Sequence, residues 1–190
     1  IDLNLLGRSI EAGSLEDPMM IPSEEVFALT SSIDQAPDQG QDIEITFRDG
    51  NPVKINDVAL NPVSLIVKAN ELAGKHGFGR IDMIENRVVG IKSREIYETP
   101  GLLLLIRAHQ ELESLTLSAD VLRLKNQLER EWADLVYQGF WFSPLKDALD
   151  GFFEPTQNQV NGCVRIRLHK GNAIILGRNS NTNSLYMPTM

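Results

Sequence analysis

The sequence predicts an α+β domain in which a mostly antiparallel sheet with hairpins packs against about four helices. Three observations predict it: strands and helices occupy separate runs of the chain, short turns join the strand segments, and helical periodicity returns four times. The order is hairpin, helix, strands, three helices, hairpin. Segregated strands and helices with hairpin connections are typical of layered α+β folds with antiparallel sheets.

The composition describes one globular unit and argues against several classes of partner. The chain has 190 residues, of which 42% are hydrophobic and 23% charged, enough to enclose a core. This excludes a disordered chain, a disulfide scaffold and a collagen-like fibre. The net charge of −8 indicates no nucleic-acid partner and no membrane partner. A single cysteine, Cys163, cannot form an internal bridge and fits a cytoplasmic protein.

Strand signals recur along the chain after an opening without sustained periodicity. Residues 1–40 are rich in Gly, Ser, Pro and Asp, so we expect an irregular segment that wraps the core. Residues 42–47 alternate, and Asp49-Gly50 turns the chain into a hairpin. Residues 80–98 are predicted to be strands with turns, and a closing hairpin covers residues 164–176.

Four helices are predicted, three of them from a small polar N-cap followed by proline. These three begin at Asn61-Pro62, Thr99-Pro100 and Ser143-Pro144, and the first is expected to end at Gly74 as its C′ residue. The fourth begins near Ser118 and carries an apolar stripe over about six turns. Core packing is the favoured interpretation of this stripe, and a partner interface is the alternative.

The segment between residues 79 and 100 carries more polar side chains than a purely structural strand needs. Among them are Arg80, Asp82, Glu85, Arg87, Lys92, Ser93, Arg94, Glu95 and Tyr97. Extended structure allows the Glu85 carboxylate and the Tyr97 phenol to share one rim, where they can hold the charged ends of a ligand. An ion-paired surface strand explains the same residues, and the pattern alone leaves both interpretations open.

Familiar catalytic and metal-binding motifs are missing from the sequence. The three histidines and Cys163 lack metal-ligand spacing, so no metal site is expected, and there is no GxSxG nucleophile motif. Gly74-Lys75 fails as a phosphate loop because Ala69 stands where the first glycine is required and His76 where Ser or Thr is required. His109 lies on an apolar helix face, where a hydrogen-bonded, half-buried histidine is the favoured interpretation.

Long ordered stretches of the chain resemble the argininosuccinate synthase family. The resemblance runs from the first residue nearly to the last. The matching stretches are Ile1 to Leu5, Gly7 to Glu11, Leu15 to Pro18, Ala73 to Asp82, Glu85 to Arg87, Lys92 to Arg94, Tyr97 to Pro100, Glu131 to Gln138, Phe140 to Pro144, Leu168 to Asn172, and Gly177-Arg178 through Ser184 to Tyr186.

The resemblance implies a cytoplasmic ligase that joins citrulline to aspartate, with ATP going to AMP and pyrophosphate through a citrullyl-adenylate. In this family an N-terminal nucleotide-binding domain carries the pyrophosphate loop and binds most of the ATP, with its Mg²⁺. That loop motif is not in this sequence. We therefore expect residues 1–190 to be a single synthetase domain, a fragment of a longer two-domain enzyme. The family forms a homotetramer through contacts that include this domain and a C-terminal helix that this sequence lacks.

The family's citrulline contacts fall on three residues of this sequence: Ser9, Glu85 and Tyr97. Two hydroxyls suit the polar ends of citrulline, and a carboxylate suits its ammonium group. No catalytic residue is expected on this chain, and the isolated chain is expected to be inactive. A non-catalytic binding or assembly module that retains the fold is the alternative.

Overall fold

The computed structural model describes residues 2–11 and 13–187, and its fold confirms the predicted α+β class. Two antiparallel sheets, of four and five strands, are joined by four helices within these residues. The strands are β1 (Asp2–Asn4), β2 (Gly7–Ile10), β3 (Gln41–Arg48), β4 (Asn51–Ile55), β5 (Val58–Ala59), β6 (Arg80–Asn86), β7 (Lys92–Glu98), β8 (Gly162–His169) and β9 (Asn172–Asn179). The helices are α1 (Pro62–Lys75), α2 (Pro100–Thr116), α3 (Ala119–Tyr137) and α4 (Pro144–Gln157).

The five-stranded sheet, in the order β5-β4-β3-β8-β9, covers the main hydrophobic core. Both predicted hairpins, β3–β4 and β8–β9, are confirmed. Alternate residues of β3 and β8 point inward, so their apolar side chains are buried against α1 and α2. The fully buried members include Ile45, Leu65, Leu104, Leu112 and Ile166.

All three predicted N-cap residues immediately precede their helices, and two of them make a side-chain capping bond. The side chains of Asn61 and Ser143 accept hydrogen bonds from the first turns of α1 and α4. Thr99 makes no such bond, because its hydroxyl donates instead to the carbonyl oxygen of Leu6, 2.9 Å away. Thr99 thus ties the start of α2 to the β1–β2 turn.

Gly74 lies within α1 and is not the C′ residue that the sequence predicted. The helix continues to Lys75, and the left-handed conformation falls on Gly77, with φ of 73°. A Cβ on Gly74 would lie 2.0 Å from the carbonyl oxygen of Leu29. Glycine is required at this position because the segment before β3 crosses the helix in contact with its backbone.

Core packing, the favoured interpretation of the apolar stripe on α3, is confirmed for Val121, which packs against the main core, but not for the exposed Leu124. The described side chains of that stripe are half-buried or exposed, with Leu124 44% exposed, and the only buried residue of the helix is Lys125. Lys125 lies between Glu113 and Glu129. Burial lowers the pKa of Lys125, but the two carboxylates outweigh it and raise the pKa above its ordinary value. The helix contacts α4 but contributes little to the main core.

Residues 1–40 are less irregular than expected, because they contain the short strands β1 and β2. Residues 13–36 contain two 3-10 turns, at Gly13–Glu16 and Glu24–Val26. The wrap places Leu15, Val26 and Phe27 against the four-stranded sheet, where a second, smaller core forms.

Candidate functional site

The four-stranded sheet has one covered face and one open face. Its strand order is β1-β2-β7-β6, so β7 lies at the centre between β2 and β6. On the covered face, Ile10 and Ile96 pack against Leu15 of the wrapping segment. Because side chains alternate between faces, the residues next to these two in sequence point to the open side.

The open face brings together the three residues that the family resemblance assigns to citrulline. Ser9 of β2 lies directly opposite Tyr97 of β7, and Tyr97 lies opposite Ile81 of β6. Glu85 lies four residues beyond Ile81 and therefore shares this face. Strand pairing thus brings residues from positions 9, 85 and 97 of the chain onto one surface.

The Tyr97 hydroxyl contacts two carboxylates, one of which is that of Glu85. It lies 3.0 Å from Oε2 of Glu85 and 2.5 Å from Oε2 of Glu95, which is two residues earlier on β7. Ser9 and Tyr97 line one cavity of about 280 Å³, together with residues of β1 and the start of α2. Glu85 does not line this cavity and lies on the far side of the Tyr97 hydroxyl.

The site carries more negative than positive charge. Arg87 lies 2.6 Å from Oε1 of Glu95 and 3.5 Å from Oε1 of Glu85, and it also bonds Glu11. Three carboxylates therefore share one guanidinium. Such an excess of acceptors favours a ligand that brings N–H groups and positive charge.

Tyr97 remains a protonated phenol in this environment. Burial, followed by the hydrogen bonds to Glu95 and Glu85, raises the pKa of Tyr97 well above its ordinary value. Tyr97 is therefore a hydrogen-bonding group and not a base.

The alternative of an ion-paired surface strand also describes part of the segment. Arg94 forms two hydrogen bonds with the Asp82 carboxylate and two more with the carbonyl oxygens of Asp17 and Met20. These contacts lie on the covered side and fasten the wrapping segment to the sheet. The two interpretations thus apply to different faces of the same strands.

Nothing in the sequence indicated one buried carboxylate, which holds β2 and β7 together next to the site. Glu98 is 0% exposed and bonds Arg8, three consecutive backbone N–H groups at residues 28–30, and the Thr30 hydroxyl. These hydrogen bonds lower the pKa of Glu98, although burial acts in the opposite direction. Arg8 precedes Ser9 and Glu98 follows Tyr97, so this pair holds the two site residues in register.

The described residues hold neither a cluster of metal ligands nor a membrane-spanning helix. Across residues 2–11 and 13–187, no group of three or more His, Cys, Asp or Glu side chains is arranged to hold a metal ion. Nor is any helix in this part of the chain long and apolar enough to cross a membrane. His109, as expected, is half-buried and bonds Gln157 at 2.7 Å.

The fold and the site define an α+β domain with a carboxylate-rich surface on one open sheet face. Comparison with known proteins gives the family. The family described as "Arginosuccinate synthase C-terminal domain" matches residues 1–190. The chain therefore belongs to the argininosuccinate synthase family and corresponds to its C-terminal domain.

Individual relatives agree with this assignment. Proteins named argininosuccinate synthase from Prochlorococcus marinus strains MIT 9303 and MIT 9313 are 76% and 75% identical to the chain over 190 residues. The protein of the same name from Synechococcus sp. WH7803 is 73% identical over 190 residues. In each case all of this chain is covered but only 47% of the relative, so the chain spans about half the length of the curated relatives it matches.

Proposed function

We propose that this chain is the synthetase part of an argininosuccinate synthase and supplies one wall of its citrulline site. The single observation that carries the proposal is the convergence of Ser9, Glu85 and Tyr97 on the open face of the four-stranded sheet. The two hydroxyls serve the polar ends of citrulline, and the Glu85 carboxylate serves its ammonium group.

The proposed reaction needs little covalent chemistry from this chain. The citrulline ureido oxygen attacks the α-phosphorus of ATP and pyrophosphate leaves; the aspartate amine then attacks the ureido carbon and AMP leaves. Ser9, Glu85 and Tyr97 act by holding citrulline in place for the first attack, which lowers the entropic part of the barrier.

We assign ATP, its Mg²⁺ and most aspartate contacts to the half of the relatives that this chain does not span. The lack of a phosphate loop in the sequence supports this assignment. The open face of the sheet then meets that nucleotide-binding domain, which completes the site. A cytoplasmic location is part of the same proposal.

The decisive experiment measures pyrophosphate release with ATP, citrulline and aspartate. The full-length protein that carries this chain should release pyrophosphate only when citrulline and ATP are both present, and the chain alone should be inactive. A Glu85→Gln variant should raise the KM for citrulline about 10-fold or more, since it removes a charge-assisted bond. Glu71→Gln, which makes the same chemical change in an exposed pair with Lys68 on α1, is the matched control. A full-length protein without citrulline-dependent pyrophosphate release would overturn the proposal.

A second role in assembly is favoured by the surface of α3 and of the turn that follows it. Phe140, Trp141 and Phe142 are 52%, 47% and 92% exposed, next to the half-exposed stripe of α3. We propose that this surface contributes contacts to a homotetramer. Sedimentation of the full-length protein tests it: Phe142→Ser combined with Leu124→Ser should shift the tetramer toward smaller species, and an unchanged tetramer would contradict the role. If the chain binds citrulline no better than its Glu85→Gln variant, assembly alone would be its function.

A further inference from the structure

One buried carboxylate beside the site has no role in the contacts proposed so far. Glu95 is 4% exposed, lies on the same face of β7 as Tyr97 and accepts a hydrogen bond from the Tyr97 hydroxyl. One of its carboxylate oxygens meets Tyr97 and the other meets Arg87. A buried charge is costly, and this one is offset by the hydrogen bond from Tyr97 to Oε2 and by the ion pair of Oε1 with Arg87, although Oε1 accepts no hydrogen bond.

The Tyr97 hydroxyl has two carboxylate neighbours but only one proton. Ionised carboxylates only accept hydrogen bonds, so the phenol can donate to Glu95 or to Glu85 but not to both. The Glu95 contact is the shorter, at 2.5 Å against 3.0 Å. The proton therefore belongs to the Tyr97–Glu95 bond.

The remaining contact then joins two acceptors with no proton between them. The Tyr97 oxygen and Oε2 of Glu85 lie 3.0 Å apart, close enough for one ligand group to reach both. A group with at least two N–H bonds and a positive charge satisfies both oxygens at once, and an ammonium group has this chemistry.

We propose that Glu95 is a positioning residue that accepts the hydrogen bond of the Tyr97 hydroxyl, so that the Tyr97 oxygen and Glu85 together accept hydrogen bonds from the substrate ammonium group. This inference rests on the proposed function. It assigns the ammonium end of citrulline to the Tyr97–Glu85 pair and gives selectivity against ligands that lack that group. Arg87 supplies the counter-charge that holds the Glu95 carboxylate in place.

The test is a double-mutant cycle in the full-length enzyme with citrulline and with 5-ureidopentanoic acid, which is citrulline without its α-amino group. In Glu95→Gln, the side-chain amide can donate to Tyr97, so the phenol turns its proton toward Glu85. We expect the KM for citrulline to rise about 10-fold or more while the KM for ATP stays unchanged. The preference for citrulline over 5-ureidopentanoic acid should fall by a similar factor.

Coupling to Tyr97 distinguishes positioning from a general structural effect. In a Tyr97→Phe background, Glu95→Gln should add less than about a twofold change, because the hydroxyl it orients is gone. Glu71→Gln, which breaks an exposed pair with Lys68 on α1, is the matched control and should change neither constant. If Glu95→Gln does not fold, Glu95→Asp replaces it with the same expectations, because the shorter side chain withdraws from Tyr97.

Each outcome decides the inference. Additive effects of the two substitutions, equal losses for citrulline and for 5-ureidopentanoic acid, or an unchanged KM for citrulline would overturn it while the proposed function stands. Failure of the unmodified enzyme to use citrulline is a different result, which overturns the proposed function itself.

Discussion

Replacing Glu98 by glutamine tests whether the buried carboxylate anchors the site. Oε1 of Glu98 accepts from the Leu29 and Thr30 backbone N–H groups and from the Thr30 hydroxyl, and Oε2 accepts from Arg8 at 2.7 Å. An amide replaces one of these oxygens by an NH₂ group that donates, so whichever way it turns, buried donors face a donor. Each donor left unpaired costs about 1–3 kcal/mol, and breaking a buried ion pair costs about 3–5 kcal/mol.

We therefore expect Glu98→Gln to lower the free energy of unfolding at pH 7 by about 3–5 kcal/mol, measured by urea denaturation. The pKa of Glu98 is lowered in the folded chain, so its contribution is present above the ordinary value of 4.5 and is lost as the pH falls through the folded pKa. The gap between the two proteins should accordingly close at acid pH. Asp42→Asn, which breaks an exposed pair with Arg167, is the control with the same chemical change. Equal losses in both variants, or a gap independent of pH, would refute the reasoning.

Two further predictions concern glycine and histidine positions. Gly74→Ala should destabilise the chain by about 1–3 kcal/mol because the new methyl group meets the Leu29 carbonyl oxygen. Gly151→Ala, with open space around it, should stabilise α4 by about 1 kcal/mol. Urea denaturation measures the change in the free energy of unfolding for both variants, and stabilisation by Gly74→Ala would contradict the close approach of Leu29 to the helix. Burial lowers the pKa of His76 below its ordinary 6.5, so the unfolded chain binds more protons and the free energy of unfolding should fall as the pH drops below about 6.5, by up to about 1.4 kcal/mol per pH unit. His76→Gln should remove that part of the slope between pH 7.5 and 5.5, and an identical slope in both proteins would show that His76 is not its source.

Local patterns in the sequence predicted the elements that depend on neighbours along the chain. Alternation with a turn signal located both hairpins of the large sheet, and proline after a polar cap located three helix starts. The Gly74 terminus was wrong, and Thr99 stands at the N-cap without a side-chain capping bond, because distant backbone at Leu29 and Leu6 decides what each of these residues contacts.

The family resemblance predicted which residues form the candidate site. It did not predict the contacts between those residues. Glu95 and Tyr97 are two residues apart on a strand, a spacing that puts both on one face and is a usable signal. Glu98 gave no signal, since its donors lie about seventy residues earlier in the chain. How little of the α3 stripe packs against the main core was not predictable, because periodicity shows that a face is apolar but not what covers it.

The sheet that carries the candidate site rests on its own small core. Ile10, Leu15 and Ile96 form that core, separate from the larger cluster beneath the five-stranded sheet. So small a core gives the four-stranded sheet little stability of its own. The contacts of Glu98 and Arg94 with the wrapping segment add further stability to this sheet. Amide hydrogens of the four-stranded sheet should then exchange with deuterium through local opening, well before the strands β3 and β8 release theirs. A ligand that spans β2, β6 and β7 would close that opening and slow the exchange.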